Sequence, residues 1–463
     1  MTDLSIKNSV TCAALFIAAP ASGQGKTTVT AALARWFTLQ GKKVSVFKTG
    51  PDYLDPQILA QASNAPTAQL DLWMAGEQYC KQMLFEAAKS ADLILIEGAM
   101  GLFDGEPSSA DLAAKFGIPI AIVMDVKGMA QTAAAVALGL ANFRDDYQCA
   151  GLIANNCSSE RHAQLIREAL SDKLPLLACL AKEPDVALPE RHLGLVQASE
   201  VTQELEERFE NGCKWLEQGV QRAATCNALL ELPATVVFEA ADAAPVTKKL
   251  LLGKTIAVAK DQAFSFIYQA NIEILEKLGA QLCYFSPLHD QKIPDADALW
   301  LPGGYPELHC KGLSENEAMK LQIQQFQQQQ KPILAECGGF LYCLTGLTDL
   351  EGVYFPMAGI MQGEGGMRGK RGCQGMQTAV LPEGEVRGHA HHRSRSSGTT
   401  PEIGFGRRQR HPAPGEGIYR AGNLTASYLH LFFASNPETI AKIFNGELAE
   451  PDYEYLSKWQ QGA

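Results

Sequence analysis

A chain of 463 residues is too long for one hydrophobic core, so two domains of about 200 residues each are expected. With 46% hydrophobic and 20% charged residues the composition is that of an ordinary globular protein, while a net charge of −11 argues against nucleic acid or a membrane surface as partner. No apolar run reaches the ~20 residues of a membrane span, the polar start from Met1 to Asn8 lacks a signal-peptide pattern, and the twelve cysteines form no C-x-x-C pair, which fits reduced thiols in the cytoplasm.

Cys12 to Ala19 reads as a strand that runs into Pro20-Ala21-Ser22-Gly23-Gln24-Gly25-Lys26-Thr27-Thr28 and then a helix to about Gln40. Glycine-rich loop, lysine, hydroxyl and helix start together form a phosphate cradle for ATP. The backbone N–H groups around Gly23, Gly25 and Thr28 face the anion, Lys26 reaches the terminal phosphates and Thr27 ligates Mg²⁺. The standard pattern has glycine where this chain has Pro20, so the P-loop is a variant. Lys42 to Phe47 is the next strand, and Lys48-Thr49-Gly50-Pro51-Asp52-Tyr53-Leu54-Asp55-Pro56 follows it. Its two carboxylates suit a metal or a substrate pocket, or plain turn chemistry. Ala91 to Ile96 is a fully apolar third strand, expected to be central and parallel, and it delivers Glu97-Gly98-Ala99-Met100-Gly101-Leu102-Phe103-Asp104-Gly105. An acid at the end of such a strand is where a second Mg²⁺-directing carboxylate belongs, the alternative being a cap for the next helix. Ile118 to Asp125, a helix over Lys127 to Phe143, and Cys149 to Ala154 ending in Asn155-Asn156 complete a doubly wound parallel sheet with ligands at the strands' C-terminal ends. Leu188 to Gly194 closes this domain, placed at 1–200, and 201–252 reads as a connector, helical at first and then rich in Ala and Pro.

The second α/β domain, 253–450, opens on the strand Thr255 to Ala259 and a helix to Leu278. Ala298 to Leu301 is a strand that ends in Pro302-Gly303-Gly304. The run Pro332-Ile333-Leu334-Ala335-Glu336-Cys337-Gly338-Gly339 stops at a sharp turn with Cys337 at its tip. That layout is a nucleophile elbow, or else a structural cysteine before a turn. The N–H groups at Gly303, Gly304 and Gly338 are candidate oxyanion donors, and His430, inside the strand-like Ala426 to Leu431, is the candidate base. Gly388-His389-Ala390-His391-His392-Arg393-Ser394 reads as a basic, polar loop and not as a metal site, since its ligand set is incomplete.

The order Gly-Gly, Cys, His resembles the class I (triad) glutamine amidotransferases, which implies a cysteine that releases ammonia from glutamine. Many members carry an acid two residues after the histidine; Phe432 stands there, so a Cys337–His430 dyad is expected. A P-loop domain in front of such a domain is similar to the cobyrinate a,c-diamide synthase family, including its hydrogenobyrinate branch. The matching segments are Ala19 to Thr28, Lys48 to Pro56, Glu97 to Gly105, Leu188 to Leu195, Asp261 to Phe266, Leu301 to His309 and Ala335 to Gly339. The N-terminal half also resembles dethiobiotin synthetase. The resemblance implies ATP-dependent phosphorylation of the a and c acetates of a corrinoid, then displacement of phosphate by ammonia from L-glutamine. It assigns Lys26 and Thr27 to the phosphates and Mg²⁺, and Asp52, Tyr53, Asp55, Glu97 and Asp104 to the metal, substrate and acyl-phosphate site, with Thr27, Asp52 and Glu97 as metal ligands. It makes Asn155 an adenine contact and gives Cys337 and His430 the glutaminase. An acyl phosphate hydrolyses in water, so ammonia is expected to travel inside the protein, between parts of both halves. The family's Gly-His-Glu-Phe-His-type segment lacks its glutamate here, Ala390 taking that place. The rivals are a nickel-sirohydrochlorin a,c-diamide synthase, a cobyric acid synthase, a partitioning-type ATPase switch, which leaves Cys337 unexplained, and a non-catalytic binding protein. Whether cobyrinate or hydrogenobyrinate is the substrate, and whether the chain forms a homodimer, stay open.

Overall fold

The computed structural model describes residues 9–189, 198–224, 228–242, 248–368, 374–452, 454 and 456. Most of the Leu188 to Leu195 match therefore lies outside the described residues. The chain divides into two compact units, Met1–Ala244 and Pro245–Ala463.

The first unit runs β1 (Ser9–Ala18), α1 (Lys26–Leu39), β2 (Val44–Thr49), α2 (Asp55–Ser63), β3 (Ala68–Leu70), α3 (Glu77–Ala88), β4 (Leu93–Glu97), α4 (Ser109–Phe116), β5 (Ile120–Asp125), α5 (Gln131–Ala141), β6 (Cys149–Asn155), α6 (Glu160–Leu170), β7 (Leu176–Cys179), α7 (Thr202–Ala223) and β8 (Thr235–Glu239). The strands β3-β2-β4-β1-β5-β6-β7 lie side by side in that order, all parallel. Parallel strands need crossovers that cover both faces, which is why they read as unbroken apolar runs. Along β1 the side chains alternate between two cores. Cys12, Ala14, Phe16 and Ala18 enter one, and Ala13, Leu15 and Ile17 the other.

Residues 201–252, expected as a connector, contribute α7 and β8 to this unit. α7 is amphipathic. Its Leu205, Phe209, Leu216 and Val220 join the core that also takes Val29 and Leu33 of α1, because an apolar stripe of that length must be covered. β8 alternates, with Val236 and Phe238 buried between exposed Thr235, Val237 and Glu239, and it pairs antiparallel with the N-terminal half of β1, from Ser9↔Glu239 to Ala13↔Thr235.

In the second unit β9 (Thr255–Ala259), β10 (Gln281–Phe285), β11 (Ala298–Leu301) and β12 (Ile333–Glu336) are parallel in the order β10-β9-β11-β12, and Leu424–Ser427 adds to β12 in parallel. From there the sheet turns antiparallel through Pro414–Ala421, Glu402–Arg408, Gln374–Leu381, Gly384–His391 and the two-residue strand His430–Leu431. The Gly388 to His391 stretch, expected in a loop, is thus the end of a strand, with Gly388↔Leu431 and His389↔His430 in register. It is a strand because it pairs on both sides, with Gln374–Leu381 and with His430–Leu431, and the pairing leaves His389 and Ala390 buried and His391 exposed. The α/β class expected for both halves is the one observed.

Candidate active site

In the first unit the strands β1, β2 and β4 end beside one another and deliver three loops to one place. α1 begins at Lys26 after Gly25, whose φ of 95° a β-carbon would resist, and its first turn carries no acid that would repel phosphate. The loop after β4 is sewn to β1 by Gly98 N–H on the Ile17 carbonyl (2.9 Å) and Leu102 N–H on that of Ala19 (2.8 Å). A β-carbon on Gly101 would stand 2.6 Å from the carbonyl oxygen of Pro20, so the variant proline loop is matched by a glycine opposite. Asn155 donates from Nδ2 to the Gln24 carbonyl at 3.0 Å and so lies against the loop. Gly23, at φ 76°, and Thr28 flank the same turn. Lys26 is buried and donates to the carbonyls of Met100 (2.7 Å) and Ala21 (3.2 Å); burial and then the charge of Lys48 lower its pKa.

Of the expected metal ligands, Thr27 and Glu97 are brought together. The Thr27 hydroxyl donates to Glu97 Oε1 at 2.8 Å and lies 3.3 Å from Asp55 Oδ2. Asp52 is less central. Its Oδ1 accepts the N–H groups of Leu54 (3.0 Å) and Asp55 (3.1 Å), so it shapes the turn, and burial followed by the Asp55 charge pushes it up to about 7. Asp104 likewise turns back on its own loop, accepting from Gly101 N–H at 3.0 Å, and Tyr53 is buried. Sequence reasoning assigned no role to Lys48. Its Nζ lies 2.6 Å from Glu97 Oε1, 2.7 Å from Asp55 Oδ2 and 3.9 Å from Asp52 Oδ2. The available signal was a lysine in an apolar strand with carboxylates four and seven residues on, since a buried ammonium needs partners. Glu97 is wholly buried, burial raises its pKa, and its Oε2 has no hydrogen-bond partner among the described residues. A hydroxyl, two converging carboxylates and an orphaned buried oxygen are hard oxygen donors that fit Mg²⁺.

In the second unit Cys337 follows β12 at φ 47°, ψ −101°, a left-handed conformation for a residue with a β-carbon, held by its N–H on the Ser427 carbonyl at 2.8 Å. Gly303 is where the His430 ring lies: a β-carbon there would stand 2.2 Å from Cε1. Gly338 packs on Gly304, a β-carbon falling 2.9 Å from its backbone nitrogen. Burial, then the charge of Glu307, push the Cys337 thiol above its usual range, against the Gly338 N–H, which favours thiolate. Phe432, two residues after His430, is fully buried against the ring of Tyr268, centroids 5.4 Å apart. A carboxyl group that braces this region is Glu336, next to the cysteine. Its Oε1 accepts from Leu431 N–H (2.7 Å) and its Oε2 from Trp300 Nε1–H (2.8 Å), which ties the nucleophile's strand to the backbone beside His430. His389 stacks on His430 with centroids 5.3 Å apart, and Ala390 sits in the hydrophobic core, where the family's glutamate would be buried.

Burial, with the charges of His392 and His391 added, pushes His430 down to about 3. The folded ring is neutral where an unfolded histidine, with a pKa of about 6.5, takes up a proton. Its contribution to stability is therefore complete above about pH 6.5 and is lost on acidification, with a slope of about 1.4 kcal/mol per pH unit. Calorimetric melts between pH 7 and 5 should show wild type losing stability more steeply than His430→Phe. Equal slopes would contradict a neutral, buried ring.

Residues 15–196 match the CobQ/CobB/MinD/ParA nucleotide binding domain, and residues 255–438 match the CobB/CobQ-like glutamine amidotransferase domain. The hydrogenobyrinate a,c-diamide synthase of Stutzerimonas stutzeri is 47% identical over 432 residues, which cover 93% of this chain and 98% of that protein. The chain belongs to the cobyrinate a,c-diamide synthase family. Two further relatives span it equally: the Pseudomonas aeruginosa hydrogenobyrinate a,c-diamide synthase (46% identical, 93% of this chain, 97% of that protein) and the Herminiimonas arsenicoxydans cobyrinate a,c-diamide synthase (46%, 94% and 97%). Membership in the cobyrinate a,c-diamide synthase family makes the chain an enzyme and not a partitioning switch. Among the described residues no helix is long and apolar enough to cross a membrane.

Proposed function

We propose that this protein amidates the a and c acetate side chains of cobyrinate or hydrogenobyrinate in cobalamin biosynthesis, using ATP and L-glutamine. The observation that carries this is the end-to-end likeness, at 46–47% identity, to synthases of that name. In the first unit an acetate oxygen attacks the γ-phosphorus of ATP, ADP leaves, and an acyl phosphate forms. Ammonia then attacks the acyl carbon and phosphate departs. Phosphoryl transfer needs positioning and charge neutralisation more than covalent help. Lys26 supplies one positive charge. Thr27, Asp55 and Glu97 would hold Mg²⁺, which supplies another when bound. In the second unit Cys337 Sγ attacks the glutamine side-chain amide, the neutral His430 takes the thiol proton and passes it to the leaving ammonia, and the backbone N–H groups at Gly303, Gly304 and Gly338 are the candidates to stabilise the oxyanion. Water then hydrolyses the thioester to glutamate. Ten described cysteines are free thiols, which supports a reducing, cytoplasmic compartment.

A mass-resolved assay tests this. Protein with ATP, Mg²⁺ and glutamine is given cobyrinate and hydrogenobyrinate in parallel. Two amide mass shifts on one ring are expected, and the ring that reacts identifies the branch. No shift on either ring overturns the a,c-diamide reading.

A further inference from the structure

Lys48 is a buried cation of the first unit that lies among the expected metal ligands and that the mechanism above leaves unused. It stands at the end of β2 with its side chain 4% exposed, and its ammonium contacts Glu97 Oε1 and Asp55 Oδ2 at 2.6 and 2.7 Å. These are the same two oxygens that the Thr27 hydroxyl approaches. A magnesium ion held by Thr27, Asp55 and Glu97 would draw on the oxygens that Lys48 contacts. It would then share its nearest ligands with a fixed positive charge, in a site too dry to screen the two from each other. One carboxylate oxygen, Glu97 Oε2, is meanwhile buried without a hydrogen-bond partner among the described residues, so Lys48 satisfies the cluster only in part.

We infer that Lys48 is an internal place-holder for the divalent cation. In the nucleotide-free protein its ammonium keeps Glu97 and Asp55 compensated, and the metal enters by exchange, as the ammonium gives up those oxygens. The exchange disfavours metal alone, and the phosphates of ATP bring the extra ligands that tip it, so metal loading is tied to nucleotide.

The inference rests on the metal reading of this site but on no particular acid substrate. Its test uses neither corrinoid nor glutamine, so failure of the diamide assay leaves it standing. The full-length protein without nucleotide is titrated with Mn²⁺, free ion being followed by electron paramagnetic resonance. Lys48→Met is expected to bind Mn²⁺ at least tenfold more tightly than wild type, and to gain more thermal stability from the ion. A lysine that only holds the fold together would predict the reverse, because its loss would loosen the ligands; unchanged or weaker binding overturns the proposal. Should Lys48→Met not fold, wild type with ¹⁵N-labelled lysine side chains answers the same question. The slowly exchanging, ion-paired ammonium signal of Lys48 must shift or broaden on adding Mg²⁺ with ADP, and a signal unmoved by saturating Mg²⁺ and ADP overturns the place-holder.

Discussion

Replacing Cys337 by alanine is expected to abolish amidation from glutamine while leaving amidation from added ammonium close to wild type. The thiol is the only atom lost. Alanine keeps the β-carbon that the elbow already tolerates at φ 47°, so the turn carries no new strain. Without a nucleophile the glutamine amide is not cleaved, and removal of such a group costs three or more orders of magnitude, as nucleophile deletions do elsewhere. Ammonia at mildly alkaline pH still meets the acyl phosphate formed in the first unit. The measurement is the rate of diamide formation with each nitrogen source. Equal losses with glutamine and ammonium would show that Cys337 serves the synthetase or the fold instead.

Lys26→Met is expected to show the other pattern, a loss with both nitrogen sources. The ammonium of Lys26 is buried and now rests on the carbonyls of Met100 and Ala21, weak partners that it can exchange for phosphate oxygens. Loss of one preorganised charge at a transferring phosphoryl group costs roughly 10²–10³ in rate, and no supply of ammonia restores it, because the acyl phosphate itself is missing. Methionine retains the apolar stem, so the start of α1 should stay folded. Alkylation of Cys337 at the wild-type rate checks that the second unit is intact. Wild-type diamide formation by Lys26→Met would remove the P-loop from the reaction.

Much of this arrangement was legible because it is local. The P-loop, the Glu97 turn and the Cys337 elbow are each a strand, a tight turn and, for the P-loop and the elbow, a helix start, all within about ten residues, and period, glycine and charge report that geometry directly. What escaped depends on partners far along the chain. The importance of Lys48 and Asp55 over Asp52 is set by where β4 places Glu97. Glu336 acts on Leu431, ninety-five residues away. The strand character of Gly384–His391 comes from pairing with Gln374–Leu381 and His430–Leu431 and outweighs a composition that reads as a polar loop. The helix at the start of 201–252 was read, but its packing into the first unit was not, although the buried stripe of α7 is regular enough to have argued for it; β8 was hidden by the flanking Ala- and Pro-rich sequence.

The pairing of β8 with β1 also bears on synthesis. β1 is synthesised long before β8, yet among the described residues Ser9 to Cys12 find a strand neighbour only in Thr235–Glu239. At 5–20 residues per second that neighbour emerges roughly 10–45 s later. Until then a strand edge stays open to other nascent chains, the kind of edge that invites aggregation. A first half cut at residue 200 would keep that edge, and the uncovered α7 face of α1, permanently.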